Sequence, residues 1–194
     1  KILHILMFIT SFGEQNITYK CCSNFLIHLL HCAEKLEGMK LNLDKYDRVI
    51  LDLLQKDCTL AIGDIAEKVG LSNTACWRRI HKMEEEGIIR AKVALLDRKK
   101  LNINVIVMVF IKTAQHNIEW IEKFHSHIYN IDEVIEVYRM AGETDYLLKV
   151  AVSDVAEYDK VYKKLIEIKG LADVSSSFAM EQIKYTTELP LNFF

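Results

Sequence analysis

The four-residue turn Val69-Gly70-Leu71-Ser72 constrains the fold of this chain most, because it joins two short helical patterns. Glycine commonly follows the last turn of a helix, and serine is a preferred residue at the start of one. Each helix therefore has its own boundary signal, and two short helices in this order predict a helix-turn-helix. At helical spacing, the residues expected to face the core are Ile65, Ala66, Val69, Cys76, Ile80 and Met83.

A third helix is predicted before this pair. Asp44 suits its N-cap, and Asp47 supplies the acidic first turn that complements the helix dipole. The second helix of the set lacks such a cap, since Ala61 stands at that position, and it contains Gly63. We therefore expect it to depend on tertiary packing. Together the three helices predict a helix-turn-helix domain over residues 39–89. The apolar face expected for the first helix is Val49, Ile50, Leu53 and Leu54.

The charge is unevenly distributed along the chain. The 194 residues carry a formal charge of −2, which on its face argues against a nucleic-acid binder. Residues 39–100, however, hold 13 Lys/Arg against 10 Asp/Glu, whereas residues 101–194 hold 9 against 14. A basic middle joined to an acidic C-terminal part predicts two modules with different partners. The hydrophobic share of 51% excludes a disordered chain.

The outward side of the last helix predicts DNA binding. Asn and Arg side chains there can make bidentate contacts to base edges, and Lys and Thr can reach phosphates. The alternative is a solvated face in which the basic side chains pair with Glu84–Glu86. Trp77 could lie against the DNA backbone or fill the edge of the core. The candidate DNA-binding residues are Asn73, Thr74, Trp77, Arg78, Arg79, His81 and Lys82.

The segment after Gly87 is rich in β-forming residues. Ile88-Ile89 and Val93–Leu96 predict the strand of a small wing, followed by a linker, over residues 90–102. Basic residues flank these stretches, and each could contact phosphate or simply solvate the linker.

Residues 103–194 predict a second domain with the order βαββαβ. Strands are expected over residues 103–113, 134–141, 146–152 and 173–184, with helices over residues 117–129 and 154–169. This order is that of a ferredoxin-like α/β sandwich, so the whole chain is predicted to be α+β, with an N-terminal winged helix-turn-helix domain. Helices would cover one face of the sheet, and the apolar strands suggest that a second subunit covers the other. The buried side of the second helix is predicted as Val155, Tyr158, Val161, Tyr162, Leu165 and Ile168.

Four segments of the helical part of the chain form a specific combination of motifs: Leu43-Asp44-Lys45-Tyr46-Asp47-Arg48-Val49-Ile50-Leu51, Ile65-Ala66-Glu67-Lys68-Val69-Gly70-Leu71-Ser72, Cys76-Trp77-Arg78-Arg79-Ile80 and Glu85-Glu86-Gly87-Ile88-Ile89. Together they resemble the Lrp/AsnC family of bacterial and archaeal transcription regulators. The similarity runs from about residue 41 to 186, and the loop Gly142-Glu143-Thr144-Asp145-Tyr146 resembles the family's effector loop. One departure is Asn73-Thr74-Ala75, where family members often have prolines flanking a threonine, so the operator sequence does not carry over.

The resemblance implies that residues 103–194 form an effector-binding and oligomerisation domain. In the family, small ligands, typically amino acids, bind between dimers near the effector loop. A glycine there permits close backbone approach, and a carboxylate such as Asp145 can hold an ammonium group or brace the loop. The alternative is a tight hairpin in which Asp145 bonds only backbone. The candidate effector-binding residues are Met140, Ala141, Gly142, Thr144, Asp145 and Tyr146.

The function expected from these features is that of a sequence-specific transcriptional regulator whose assembly and promoter occupancy respond to a small effector, expected to be an amino acid. Its partners would be pseudo-palindromic double-stranded DNA and further copies of the chain, as a homodimer assembling to a tetramer or octamer. We expect a cytoplasmic protein with no membrane association, no cofactor and no metal. The alternative is a cytosolic amino-acid-binding oligomer without DNA-binding activity. An enzyme is disfavoured, because the seven histidines form no nucleophile motif and no phosphate-binding loop is present.

Residues 1–38 differ in character from the rest and are interpreted as an N-terminal extension of doubtful status. They contain Cys21, Cys22, His28, His31 and Cys32, residue types that bind zinc. Their spacing matches no zinc finger or ribbon, so we predict no metal site there.

Overall fold

The computed structural model describes residues 43–115 and 117–193. The N-terminal extension and its cysteine–histidine group lie outside the described residues. Within these two ranges, no helix is long and apolar enough to cross a membrane. The same ranges contain no group of three or more His, Cys, Asp or Glu side chains arranged to hold a metal ion.

Helix α1, Lys45–Lys56, begins at the predicted cap. The Asp44 carboxylate accepts hydrogen bonds from the backbone N–H groups of Tyr46 at 2.8 Å and Asp47 at 3.0 Å. The Asp47 carboxylate in turn accepts from the Asp44 N–H at 3.0 Å, which completes a capping box. Ile50 is fully buried, but Val49 is 43% exposed, so its place on the predicted apolar face was wrong. It lies one residue, about 100° of helix rotation, from Ile50.

Helices α2, Ile62–Val69, and α3, Asn73–Glu85, form the predicted helix-turn-helix. Gly70 has the positive φ of 73° that ends α2, and its N–H donates to carbonyls of the last turn. As expected, no side chain caps α2 at Ala61. Packing holds it instead, since Ile65 and Ala66 are almost completely buried against α1 and α3.

The second domain has the predicted order of elements in an antiparallel four-stranded sheet with strand order β2-β3-β1-β4. This arrangement confirms the ferredoxin-like α/β sandwich. The strands are β1 (Val105–Thr113), β2 (Val134–Arg139), β3 (Tyr146–Val152) and β4 (Leu171–Phe178), and the helices are α4 (Ile118–Tyr129) and α5 (Val155–Ile166).

Both helices of the second domain pack on one face of its sheet and form a core that shares no residue with the core of α1–α3. Along β1 and β3 the buried positions alternate, as expected for a sheet with one covered face. Val155 was wrongly predicted to be buried, because it is the first residue of α5 and 61% exposed. The central buried side chains are Val107, Val109, Ile111, Phe124, Leu148, Val150, Val161 and Leu165.

Two strand predictions were wrong. No strand lies between α3 and β1, so the predicted wing strand within residues 90–102 is irregular chain with Val93, Leu95 and Leu96 largely exposed. A strand requires a partner, and the described part of this chain offers none to these residues. The last strand ends at Phe178 instead of residue 184, because Phe178 pairs with Val107 and its partner β1 begins only two residues earlier, at Val105.

Candidate DNA-binding surface and effector loop

Helix α3 is oriented by its cap and by three buried side chains. The Ser72 hydroxyl accepts a hydrogen bond from the Ala75 N–H at 3.3 Å. Cys76, Ile80 and Met83 are buried in the core of α1–α3. Because these three side chains lie on one side of the helix, the opposite side is directed outward.

The outward side of α3 displays most of the predicted DNA-binding residues. Its first turn contains no acidic residue, so no carboxylate of that turn neutralises the positive end of the helix dipole. This end of the helix is therefore suited to an anionic partner such as a phosphate. The predicted residues exposed on this side are Asn73, Thr74, Trp77, Arg78, His81 and Lys82.

Trp77 lies outside the buried core. Its side chain is 51% exposed, and its ring stacks on that of His81 with centroids 5.0 Å apart and an interplanar angle of 23°. Of the two sequence interpretations, the structure thus favours a surface position over the edge of the core. The stack presents a flat aromatic surface beside Arg78.

The charged residues of α3 differ in how they are paired. His81 lies 3.3 Å from Glu85, and Lys82 lies 3.7 Å from Glu86, both as i,i+4 pairs on an exposed surface. Such pairs contribute little and are readily exchanged for another anion. No ion pair within the described ranges includes Arg78. Its guanidinium is therefore the most available charge on this side of the helix.

Arg79 has a different environment from its neighbour. Its guanidinium contacts the carboxylates of Asp47 at 2.8 Å and Asp44 at 2.9 Å, and it lies 5.5 Å from the centre of the Tyr46 ring. The hydrogen bond to Asp47 raises the pKa of Arg79. Arg79 therefore ties α3 to the cap of α1, an interaction that its position beside Arg78 in sequence did not reveal.

The cap of α1 gains from the same contact. Partial burial alone would raise the pKa of the Asp44 carboxyl, but hydrogen bonds from the amides of Asp47 and Tyr46, and then from Arg79, lower it. The ionised carboxylate is thus the form that the folded chain stabilises.

After α3 the chain returns along the helix without forming a strand. The Lys92 ammonium lies 2.7 Å from Glu84 and so attaches this segment to α3. The Arg98 guanidinium donates to the carbonyls of Ile103 and Asn104 at 3.0 and 3.2 Å. Lys92 and Arg98 thus attach the two ends of the linker, to α3 and to the residues just before β1 respectively.

The predicted effector loop connects β2 to β3. The Asp145 carboxylate accepts a hydrogen bond from the Thr113 N–H at 2.7 Å, and the Asp145 backbone bonds to Ile111 and Met140. Asp145 therefore braces the loop against β1. Gly142 has a positive φ of 144° and open space where a side chain would project. Gly142 therefore leaves open space for a ligand beside the loop.

The remaining predicted loop residues divide into exposed and buried positions. Met140 and Ala141 are exposed, and Thr144 is half-buried. Tyr146 is only 3% exposed, and its ring packs 4.5 Å from that of Phe124 in the core. Burial raises the pKa of Tyr146. Its side chain thus anchors the loop from beneath, away from the exposed surface.

An ion pair beside the loop was not predicted from the sequence. The Lys112 ammonium lies 2.9 Å from Glu143, which is 91% exposed. This hydrogen bond raises the pKa of Lys112 and lowers that of Glu143. Glu143 was visible in the loop motif, but its partner lies 31 residues earlier and is identified only by the pairing of β1 with β3.

Comparisons with known proteins match both domains. The family described as winged helix-turn-helix DNA-binding matches residues 43–90, and the family described as Lrp/AsnC ligand binding domain matches residues 106–189. The DNA-binding transcriptional activator DecR of Escherichia coli is 50% identical over 150 residues, covering 77% of this chain and 99% of DecR.

Solved structures agree with these matches. A crystal structure of an AsnC family transcriptional regulator from Agrobacterium tumefaciens is 58% identical, with a TM-score of 0.75, covering 78% of this chain and 99% of that one. A transcriptional regulator from Neisseria meningitidis, solved as a complex with L-Met, is 34% identical with a TM-score of 0.74, covering 78% and 98%.

Proposed function

The chain belongs to the Lrp/AsnC family of DNA-binding transcriptional regulators, and we propose how its own residues read DNA and sense a small effector. The resemblance carried by its sequence motifs is thereby confirmed. The protein is a transcriptional regulator with a winged helix-turn-helix domain and a ligand-binding domain. Because a transcriptional regulator acts on DNA, the proposed compartment is the cytoplasm, and the proposed role is regulatory with no catalytic step.

Helix α3 enters the major groove with its N-terminal half. The observation that carries this assignment is the exposed, carboxylate-free first turn of α3, followed by the guanidinium of Arg78, which makes no ion pair with any described residue. Asn73 and Arg78 are the residues able to make bidentate base contacts, and Thr74 and Lys82 the residues able to contact phosphate. Arg79 serves differently, since it holds α3 against α1 and so positions the reading surface.

Substitution of Arg78 tests this assignment. Binding is measured on DNA from upstream of the protein's own gene and on a shuffled sequence of the same composition. Arg78→Ala should weaken binding to the natural sequence by about 1–3 kcal/mol and reduce discrimination between the two duplexes. Equal discrimination by the wild type and the variant would exclude Arg78 from base reading.

The effector is an α-amino acid bound beside Gly142. Lys112 and Glu143 present opposite charges next to this open glycine, and a zwitterion needs one partner of each sign. An exposed ion pair contributes little by itself, so exchanging it for a ligand costs little. Asp145 already accepts the Thr113 N–H and acts as the brace. The complex of the Neisseria relative with L-Met supports an amino-acid effector.

A thermal-shift screen tests the effector proposal. Amino acids should stabilise the protein more than their N-acetyl or carboxamide derivatives, and Lys112→Met and Glu143→Gln should abolish the difference. Lys123→Met and Glu119→Gln, which disrupt a similarly exposed pair on α4, provide the matched control. If an amino acid stabilises the wild type and the Lys112 and Glu143 variants equally, the effector site does not include this ion pair.

The sheet face opposite α4 and α5 is the proposed dimer surface, and dimers assemble further to tetramers or octamers. By the register of the strands, this face includes the half-buried Met108, Phe110 and Leu147 and the exposed Tyr138. A partly apolar sheet face that no described element covers favours a second subunit. Phe110→Glu should yield monomers by analytical ultracentrifugation, whereas Ile118→Glu, on exposed α4, should not. A monomeric wild type would contradict the proposal.

A further inference from the structure

The C-terminal segment, residues 179–193, returns from the sheet to the DNA-binding domain. Its first residue continues the sheet by one bond, from the Ala179 N–H to the Ile106 carbonyl at 2.9 Å. Beyond this bond it has no regular secondary structure, and Met180 and Ile183 are more than nine-tenths exposed. Such a segment does not contribute to either core, so its course requires another explanation.

The segment is attached to α1 by two reciprocal hydrogen bonds. The Gln55 side-chain amide donates to the Leu189 carbonyl at 3.1 Å, and its oxygen accepts from the Leu189 N–H at 2.9 Å. The two residues lie 134 positions apart. This is the bonding pattern of a paired residue in an antiparallel ladder, with a side-chain amide in the place of the partner strand.

The local sequence favours this attachment. Pro190 is the single proline of the chain, and it restricts the preceding Leu189 to extended conformations. An extended residue presents its N–H and carbonyl to a single partner. Glu188 and Lys56 attract each other alongside, which is one of the effects that raise the pKa of Lys56, after its hydrogen bond to Asp52.

Hydrogen bonds and strand β4 also connect the segment to the effector loop. Asp145 braces Thr113, the Thr113 hydroxyl donates to the Gly170 carbonyl, and β4 begins at the next residue. The other end of β4 leads into residues 179–193 and so to Gln55. A continuous series of bonded elements therefore joins the loop to α1.

We propose that residues 179–193 form a strap that fixes the orientation of the DNA-reading helices relative to the effector domain, with Gln55 as its positioning residue. The two domain cores share no residue, so the strap supplements the linker as a second connection between the domains. It contacts α1 and leaves the outward side of α3 exposed, so it orders the reading surface without covering it. A domain that is already oriented loses less freedom when it binds DNA. This inference rests on the proposed DNA-binding function.

The test compares Gln55→Ala with Gln182→Ala, which removes an exposed glutamine of the same segment, in the full-length protein. Amide hydrogen exchange at Leu189 should be roughly tenfold faster in Gln55→Ala and unchanged in Gln182→Ala. Affinity for DNA from upstream of the protein's own gene should fall about three- to tenfold in Gln55→Ala with an unchanged thermal unfolding temperature. Leu189→Pro, which removes the N–H donor and keeps Gln55, should also lower the affinity for DNA.

Two results would overturn the proposal. Leu189 exchange in the wild type as fast as in an unstructured peptide would show that the strap is not attached. Faster exchange in Gln55→Ala with wild-type DNA affinity would show that the attachment does not position α3. A wild-type protein that binds no DNA would refute the proposed function instead, and the exchange measurement would still decide whether the strap is attached.

Discussion

Replacing Arg79 by alanine should destabilise the DNA-binding domain, whereas the same change at Arg78 should not. Arg79 makes charge-assisted contacts at 2.8 and 2.9 Å and lies over the Tyr46 ring. Its side chain is 30% exposed, so solvent weakens each contact to about 1 kcal/mol, with about 0.5 kcal/mol more from the ring. The expected loss is therefore about 2–3 kcal/mol of unfolding free energy.

The loss should be confined to one domain. Since the two cores are separate, we expect amides of α1 and α3 to exchange faster in Arg79→Ala, while those of β1 and β3 keep their protection. The urea midpoint of the DNA-binding domain should fall by about 1–2 M. Arg78→Ala, at an exposed position, should stay within about 0.5 kcal/mol of the wild type.

This pair of variants also separates two ways of losing DNA binding. Arg79→Ala should bind DNA poorly because α3 is less stably packed against α1. Lower temperature, which increases the folded fraction of this domain, should therefore partly restore binding. Arg78→Ala should bind poorly while fully folded. Wild-type stability in Arg79→Ala, or equal destabilisation by both variants, would refute the assignment of Arg79 to positioning and Arg78 to reading.

Three further outcomes are expected. Gly170→Ala should lower the unfolding free energy of the effector domain by about 2–4 kcal/mol in urea titrations, because Gly170 has a φ of 89° and an added Cβ would lie 2.7 Å from the Trp120 ring nitrogen. Unchanged stability would contradict the close packing of Gly170 against Trp120. Asp145→Ala should speed amide exchange at Thr113 about tenfold and abolish the effector response, but leave DNA affinity without effector unchanged. A retained effector response would show that the loop does not depend on the Asp145 brace. The pKa of Asp44 is lowered on folding from its ordinary value of 3.8, so its contribution to stability is present above that value and is lost as the pH falls through the lowered pKa. Denaturation of Asp44→Asn at a series of pH values should therefore show a weaker loss of stability in acid than the wild type, and identical profiles would contradict this role of Asp44.

The features that the sequence predicted well are those with local signals. The capping box at Asp44, the end of α2 at Gly70 and the start of α3 at Ser72 each depend on residues within one turn of the helix. The βαββαβ order followed from the alternation of apolar strands and helices. These signals are properties of short segments, so they survive without knowledge of the tertiary structure.

The features that were missed depend on contacts distant in sequence. Arg79 was included among the candidate DNA-binding residues because its partners lie 32 and 35 positions earlier, at the start of another helix. The Lys112–Glu143 pair required the register of two strands. The wing strand was predicted from β-forming residues alone, although a strand exists only where another strand pairs with it.

The salt dependence of DNA binding shows whether α3 lies on the DNA backbone, when Lys82→Ala is compared with Lys163→Ala. Both lysines are exposed and paired to a carboxylate four residues away, but Lys82 lies on α3 and Lys163 on α5. If α3 contacts the DNA backbone, Lys82→Ala should weaken binding on every duplex and reduce the slope of log affinity against log salt by about 1, with Lys163→Ala at the wild-type slope. Identical slopes for the two variants would contradict the account of α3 as the DNA-reading helix.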